Sequence, residues 1–285
     1  MSLPVAVVRA AVRTLLRPVL GPPFPLAAQR AWLRVMSTGA PAASGVSRET
    51  GTVGGRLAER HLPVGAGDGS VLLLHGGAFV TSSPRTHRVL ASHLAAASGV
   101  AVVVPDYRLA PEHPWPAAVD DAVAAYDELA ARGPVAVAGD SAGGALALLL
   151  CRTRRPVALA LVSPVTDLTG ATSRDYDGPD ALVRRSWLEG GLAAFLGGVD
   201  AAALSPLHAD LADLPPVLVH VAEQERLRRD GELLVERITA AGGSAGLRVL
   251  PDLWHDAHLL SHLVAPAAQA TAELGAWLGA HVRAD

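Results

Sequence analysis

One serine of the chain lies in a setting that could make it a nucleophile. Ser141 occupies the third position of the sequence Gly139-Asp140-Ser141-Ala142-Gly143-Gly144. An apolar run precedes this sequence and a run of helix-forming residues follows it, which predicts a strand, a sharp turn and a helix. Glycines on both sides of the serine remove Cβ atoms that would collide in such a turn. The pattern predicts a nucleophile elbow; the alternative is a small-residue loop that only packs a helix against a strand.

A serine nucleophile needs a base, and several histidines occur near the C-terminus. His255 and His258 are three residues apart, and His262 follows one helical turn later. We expect His255 to be the base because it lies in the loop directly after the strand predicted at residues 247–250. A zinc site could use the spacing of the three histidines, but no cysteine and no convincing carboxylate as fourth ligand accompanies them. The remaining histidines, His87 among them, are expected at the surface.

The base needs a carboxylate that orients it, and the segment after another predicted strand offers several. The strand is predicted at Val217–Val221, and Glu223, Glu225 and Asp230 follow it. We expect Glu225 to be the acid because a carboxylate close to the end of a strand is held rigidly. Asp230 and Glu223 stay open as alternatives, although Asp230 also suits a cap of the following helix.

Acyl transfer by a serine also needs hydrogen-bond donors for the oxyanion. The backbone amide of Ala142, directly after the nucleophile, is one candidate. The turn His75-Gly76-Gly77-Ala78-Phe79 follows a predicted buried strand and supplies further amides at Gly76, Gly77 and Ala78. Glycine lets the backbone approach a reacting carbonyl without an intervening side chain. The alternative is a tight turn without a role in chemistry.

Strand and helix patterns alternate through the middle of the chain, and this predicts the elements that position these groups. Strands are predicted at residues 56–63, 70–74, 100–104, 135–138, 157–162, 217–221 and 247–250. Helices are predicted at residues 3–20, 28–36, 84–99, 116–132, 145–150, 228–241 and 267–282. Residues 39–55 are expected to form a loop, and residues 166–214 an excursion above the sheet. The alternation predicts an α/β fold with a mostly parallel sheet and helices on both faces.

Composition excludes several classes of function. A chain of 285 residues fits a single α/β domain. The net charge of −3, without a basic cluster, argues against a nucleic-acid partner. The chain contains no lysine, which excludes Schiff-base chemistry, and no asparagine, which excludes a Cys-His-Asn triad. A single cysteine, Cys151, excludes an internal disulfide.

The start of the chain predicts an amphipathic helix. Arg9, Arg13 and Arg17 fall on one stripe of it and would interrupt the apolar core of a signal peptide. No stretch reaches the ~18 uncharged apolar residues of a membrane span, so we expect no integral membrane segment. We therefore expect a cytoplasmic protein. The sequence leaves the oligomeric state open, with a homodimer as one alternative.

Three motifs together resemble one known family. They are the sequence around Ser141, the turn at residues 75–79 and the block Asp106-Tyr107-Arg108-Leu109-Ala110-Pro111-Glu112-His113-Pro114-Trp115-Pro116-Ala117-Ala118. In this order they resemble the hormone-sensitive-lipase-like esterases, the bacterial family IV branch of the α/β-hydrolases. The resemblance runs from about Leu72 to the C-terminus.

The resemblance implies an α/β-hydrolase fold and a serine carboxylic ester hydrolase that works without metal or cofactor. It implies an acyl-enzyme intermediate formed by the nucleophile, acid and base Ser141, Glu225 and His255. It places the oxyanion donors at Gly76, Gly77, Ala78 and Ala142. It also implies one domain over residues 1–285, with a small helical cap from approximately residues 1–45 and 170–205.

Two departures from the family pattern leave alternatives open. Ala78 stands where the usual turn has its third glycine, and Glu225 stands where the family usually has aspartate. Alanine at the position of Ala78 also occurs in relatives that resemble lactone hydrolases. One alternative is therefore that the chain hydrolyses cyclic esters with the same triad. A non-catalytic small-molecule binding protein on the same fold is a third alternative. Short-chain or compact acyl esters are the expected substrates, in a pocket lined by Phe79, Tyr176, Trp187 and Phe195.

Overall fold

Eight strands form one sheet in the computed structural model, which describes residues 2–283 of the chain. The strands are β1 (Val46–Val53), β2 (Arg56–Pro63), β3 (Ser70–Leu74), β4 (Ala101–Pro105), β5 (Val135–Asp140), β6 (Leu159–Val162), β7 (Val217–Ala222) and β8 (Ala245–Leu250). Their order in the sheet is β1-β2-β4-β3-β5-β6-β7-β8. The pairs β1–β2 and β2–β4 are antiparallel, and the other neighbours are parallel. The predicted mostly parallel sheet is confirmed.

Helices cover both faces of this sheet. They are α1 (Val5–Ala11), α2 (Leu26–Met36), α3 (Arg88–Ser98), α4 (Ala117–Ala130), α5 (Ala142–Leu150), α6 (Ala171–Arg174), α7 (Arg185–Leu196), α8 (Ala201–Leu204), α9 (Arg228–Ala240) and α10 (Ala265–Val282). A π-helical turn, Val12–Leu16, continues α1, and short 3₁₀ helices occur at Pro84–His87, Pro206–His208 and Ala257–Leu260. None of the helices in residues 2–283 has the length and apolar character to cross a bilayer.

The central strands are apolar without interruption because both of their faces are covered. One core contains side chains of α4, α5 and α9, and a second core on the opposite face contains side chains of α3 and α10. Every residue of β3 and of β5 is buried. These two strands are neighbours in the sheet, and both end at the edge where the predicted nucleophile and oxyanion turn lie.

The expectation of a loop at residues 39–55 is wrong in part. Residues Val46–Val53 form β1, which pairs with the whole of β2 across a turn at Gly54-Gly55. The strand has no apolar alternation because seven of its eight residues are at least partly exposed. A strand at the sheet edge needs no apolar face, so its sequence resembles a loop.

The excursion predicted at residues 166–214 consists of helical segments and connecting loops. In the described chain, α6, α7 and α8 lie between β6 and β7, with no strand among them. The N-terminal helices contact this region: the guanidinium of Arg184 donates to the carbonyl of Leu20, and a Cβ on Gly21 would lie 2.8 Å from Cβ of Trp187. We refer to α1, its π-helical continuation, α2 and α6–α8 as the cap helices, the role that we propose for them.

Candidate active site

The turn between β5 and α5 holds Ser141 in a strained conformation. Its φ is 51° and its ψ is −116°, a combination that only a tightly constrained residue adopts. The flanking glycines make this turn sterically feasible. A Cβ on Gly143 would overlap the carbonyl oxygen of Leu74, and one on Gly139 would overlap the carbonyl oxygen of Gly143. The strand, turn and helix predicted around Ser141 are therefore present.

Backbone hydrogen bonds fix Ser141 and leave its hydroxyl unoccupied. The amide donates to the carbonyl of Val162 at 2.8 Å, and the carbonyl accepts from the amides of Gly144 and Val165, both at 3.0 Å. The side-chain oxygen makes no hydrogen bond to any residue in the described part of the chain. The residue lies at the N-terminus of α5, where the helix dipole and free amides favour a developing negative charge.

Glu225 and His255 form a buried pair. Oε2 of Glu225 lies 2.8 Å from Nδ1 of His255, and the two side chains are 0% and 1% exposed. Oε1 of Glu225 accepts from the amide of Ala222, the last residue of β7, at 2.8 Å. The strand end thus holds the carboxylate in place. With its proton on Nδ1, the imidazole presents Nε2 as the basic nitrogen, the arrangement of a Ser-His-acid site.

The two alternative acids lie elsewhere. Asp230 is buried, and its carboxylate accepts from the amides of Thr166 and Asp167 and from the hydroxyl of Thr172. It therefore fastens the segment after β6 to α9, and burial raises the pKa of Asp230 to about 6. Glu223 is exposed. Neither carboxylate forms a hydrogen bond or an ion pair with His255 in the described chain.

A second carboxylate lies against the other nitrogen of the imidazole. Oδ2 of Asp256 lies 3.0 Å from Nε2 of His255, and Oδ1 is buried without a hydrogen-bond partner among residues 2–283. Asp256 reaches back because its backbone is left-handed, with a φ of 55°. Burial disfavours the imidazolium, but the Asp256 and Glu225 carboxylates outweigh it and raise the pKa of His255 well above 6.5. Burial, with a contribution from Asp140, raises the pKa of Asp256 to about 7.

In the turn at residues 75–79, the predicted source of oxyanion donors, two backbone amides are free to donate and a third is already hydrogen-bonded. Gly77 and Ala78 have φ values of 115° and 52°, and within residues 2–283 no acceptor is bonded to either amide. The amide of Gly76 instead donates to Oδ2 of Asp140 at 3.0 Å. Because that amide has a single proton, the expectation for Gly76 is corrected, and the proposed donors are Gly77, Ala78 and Ala142. The cap reaches this turn as well, because a Cβ on Gly191 of α7 would overlap Ala78.

A buried polar cluster lies beneath this turn, and no sequence pattern indicates it. Nε2 of His87 lies 3.0 Å from Oδ2 of Asp140, and both side chains are buried. Burial disfavours charge on both groups, but their mutual attraction outweighs it, so the pKa of His87 is raised and the pKa of Asp140 is lowered. The hydroxyl of Tyr107 donates to the carbonyl of His75 at 2.5 Å, and their rings stack. The expectation that His87 is a surface group is wrong.

A cavity of about 270 Å³ opens beside His255. The cap supplies much of its wall through Val8, Val12, Leu15, Leu16, Leu33 and Met36. The rest of the chain adds residues that include His87, Trp254, Asp256, Leu259 and Leu263. The wall is mostly aliphatic, so the cavity suits an apolar group close to the base.

The four aromatic residues expected in the pocket do not line this cavity. Phe79 and Phe195 stack on each other at 4.1 Å and are each 1% exposed. Trp187 is buried in the same core. The Tyr176 hydroxyl donates to the carbonyl of Pro179 at 2.9 Å. The stacked Phe79 and Phe195 join α7 to the turn at residues 75–79, and full burial of such large aromatic groups stabilises that contact.

The histidines do not form a metal site in the described chain. Nε2 of His258 lies 3.2 Å from Nδ1 of His220, and both rings are buried. Burial lowers the pKa of His220 to about 3 and that of His258 to about 4, so both rings are neutral near pH 7. No group of three or more histidine, cysteine or acidic side chains in residues 2–283 is arranged to hold an ion.

Comparison with known proteins places this site in a family. A family model described as an alpha/beta hydrolase fold matches residues 71–259. An acetyl-hydrolase of Streptomyces hygroscopicus is 35% identical over 241 residues, which cover 80% of this chain and 81% of that protein. The carboxylic ester hydrolase LipN of Mycobacterium tuberculosis is 36% identical over 255 residues, covering 80% and 68%.

Solved structures agree with these relatives. The crystal structure of an esterase from the bacterial hormone-sensitive lipase family is 35% identical, with a TM-score of 0.89, and the match covers 99% of this chain and 100% of that one. The structure of EstE5, soaked with ethyl alcohol, gives a TM-score of 0.91 at 31% identity over 98% of this chain and 99% of that one. The chain belongs to the hormone-sensitive-lipase-like, family IV branch of the alpha/beta hydrolases and is a carboxylesterase-type hydrolase.

Proposed function

We propose that Ser141 is the nucleophile of a serine esterase, with His255 as its base and Glu225 as the acid that orients the base. The Glu225–His255 pair at 2.8 Å carries the proposal, together with a serine in a strained elbow whose hydroxyl makes no hydrogen bond within the described chain. Ser141 attacks the ester carbonyl while Nε2 of His255 accepts the hydroxyl proton. The tetrahedral oxyanion accepts hydrogen bonds from the amides of Gly77, Ala78 and Ala142.

The alcohol leaves with the proton from His255, and an acyl-enzyme remains on Ser141. Water then attacks the acyl carbonyl, and His255 takes a proton from it and returns one to Ser141. Nε2 must face the serine for both steps, so the Asp256 carboxylate has to give way to the substrate. Catalytic hydrogen bonds often tighten only when substrate is bound.

Short or compact acyl esters are the substrates that we propose. The cavity of about 270 Å³ is small, and its wall beside His255 is mostly aliphatic. A long acyl chain would have to extend past the cap helices into solvent. The hydrolysis of p-nitrophenyl acetate, butyrate and laurate compares these lengths, and we expect the highest kcat/KM with the two short esters.

The matched test of the nucleophile is Ser141→Ala beside Ser163→Ala. Ser163 also has a positive φ, 46°, at the end of the neighbouring strand, so it controls for disturbance of a tight turn. We expect Ser141→Ala to abolish p-nitrophenyl butyrate hydrolysis and labelling by a fluorophosphonate, while Ser163→Ala retains both. Labelling of Ser141→Ala would refute the assignment. Rates on an ε-lactone measured alongside decide between the acyclic and the cyclic ester alternatives.

A further inference from the structure

The net charge of the chain conceals a strong asymmetry. The first 48 residues contain six arginines and no aspartate or glutamate. The remainder contains 18 arginines against 27 acidic residues. Near a negatively charged surface, electrostatic attraction orients the basic segment towards that surface, and repulsion keeps the acidic remainder away from it. The cap helices α1 and α2 lie in this basic segment.

The same segment exposes an unusual share of large apolar side chains. Six of the ten such exposed residues in the described chain are Leu3, Val7, Leu15, Phe24, Val35 and Met36. Leu15 and Met36 also line the cavity beside His255. The indole of Trp32 donates to the carbonyl of Leu15 at 2.8 Å and so joins α2 to the π-helical turn. Clustered exposed apolar groups mark a surface that binds something.

Two arginines of α1 and its π-helical continuation have no carboxylate partner in the described part of the chain. Arg9 and Arg13, one helical turn apart, line a groove of about 310 Å³. Within residues 2–283, Arg9 donates only to the carbonyl of Asp252, at 3.4 Å, and Arg13 makes no hydrogen bond or ion pair. The opposite wall contains Asp180, whose carboxylate is occupied by the amides of residues 182, 183 and 226. Guanidinium groups without a carboxylate partner are free to donate hydrogen bonds to phosphate oxygens.

Arg34 is available in the same way on α2. Its side chain is exposed and makes no ion pair in the described chain. We call the surface formed by Leu3, Val7, Leu15, Val35 and Met36 with Arg9, Arg13 and Arg34 the docking face. A helix that exposes apolar side chains together with arginines lies in the interface of an anionic membrane.

We propose that the docking face binds the protein to an anionic phospholipid surface. The apolar side chains enter the interface, and the arginines contact lipid phosphates. A second copy of the chain is a poorer occupant, because the docking face contains three arginines and no carboxylate, so two such faces would bring like charges together. The cavity beside His255, which Leu15 and Met36 of the docking face line, then opens towards the lipid, so an apolar ester reaches it without crossing water. Only this last consequence rests on the proposed function; lipid binding does not.

Vesicle flotation of the full chain tests the proposal. The probes are vesicles of phosphatidylcholine alone and of phosphatidylcholine with about 30% phosphatidylglycerol, at low and at high salt. We expect the protein to float with the anionic vesicles only, and binding to weaken as salt screens the arginines. Each arginine contributes about fivefold to the partition coefficient, so Arg13→Gln with Arg34→Gln should lower it about 25-fold.

Matched variants separate the docking face from general surface effects. Arg152→Gln with Arg237→Gln removes two exposed arginines on the acidic body and should leave partitioning unchanged. Val7→Asp should abolish it, and Val64→Asp, at an exposed valine outside the docking face, should not. Each variant is also assayed on soluble p-nitrophenyl acetate. Val7, Arg13 and Arg34 do not line the cavity beside His255, so the hydrolysis of this soluble ester should persist.

Several results would overturn the proposal. One is equal binding to neutral and anionic vesicles. Another is a loss of vesicle binding in the control variants as large as in the docking-face variants. A third is tight binding of inorganic phosphate with which the vesicles do not compete. Light scattering that shows a dimer dissociated by Val7→Asp, with vesicle binding intact, would assign the face to self-association instead. Absence of ester hydrolysis in every protein, with lipid binding intact, would reject the proposed function and not the docking face.

Discussion

Replacement of Asp256 by asparagine tests the electrostatics of the active site most directly. The asparagine side chain has nearly the same shape, but it removes the negative charge that lies 3.0 Å from Nε2 of His255. As the proposed base, His255 must be neutral to accept a proton, so we expect activity to rise with pH through its pKa. Asp256 helps to raise that pKa, and its removal should therefore shift the rise in activity to lower pH.

The size of the shift follows from the separation of the charges. Two unit charges about 4 Å apart interact by about 4 kcal/mol at an effective dielectric constant near 20. One pKa unit corresponds to about 1.4 kcal/mol, so the full interaction would amount to about 3 units. Part of it is lost because burial raises the pKa of Asp256 to about 7, which leaves that group partly protonated near neutrality. We therefore expect the acid limb to move down by about 1 to 2 units.

The assay is the pH dependence of kcat/KM on an uncharged short ester, between about pH 5 and 10, which reports the free enzyme. Asp252→Asn is the matched control, because Asp252 also has a left-handed backbone, with a φ of 60°, but is exposed. We expect Asp256→Asn to be more active than the unaltered enzyme below neutral pH and Asp252→Asn to coincide with it. An acid limb that stays in place, or that moves to higher pH, would refute the reasoning.

Two further predictions concern the buried acid and the buried histidines. Glu225→Gln should lower kcat by about 10³- to 10⁴-fold with little change in KM, because the amide no longer orients and stabilises the imidazolium; steady-state kinetics measures both. Burial lowers the pKa of His220 to about 3, so the unfolded state binds the extra proton and stability falls as pH drops below about 6.5. At pH 5 this costs about 2 kcal/mol, and urea unfolding of His220→Leu should show a loss between pH 7.5 and 5 that is smaller by that amount. The exposed control His113→Leu should keep the original loss, and an unchanged loss in His220→Leu would contradict the prediction.

The parts of the site that the sequence predicts are those that short-range sterics dictate. The positive φ of Ser141 requires small neighbours, and the Gly-x-Ser-x-Gly spacing records that requirement directly. Glu225 follows its strand by three residues, so the strand end alone restricts where its carboxylate can reach. Proximity to a strand end also identifies His255. The 2.8 Å contact between these two side chains is consistent with the predicted acid and base.

The parts that the sequence does not predict depend on contacts between distant segments or on a single torsion. His87 and Asp140 are 53 residues apart, and neither residue type nor spacing indicates that they meet. Asp256 reaches Nε2 only because its backbone is left-handed, which a sequence pattern does not encode. Hydrophobicity indicates that Phe79 and Phe195 are buried, but it does not distinguish a core from a pocket wall.

Charge balance around the imidazole explains why Asp256 is the unusual group of this site. The Asp140 carboxylate is matched by His87, whose pKa it raises, and the Glu225 carboxylate is matched by His255. Asp256 shares the same imidazole and keeps Oδ1 buried without a partner. A developing oxyanion would add negative charge to a site that already holds one carboxylate in excess. For the proposed activation of Ser141, the substrate must therefore move Asp256 away from Nε2, or Asp256 must take up a proton.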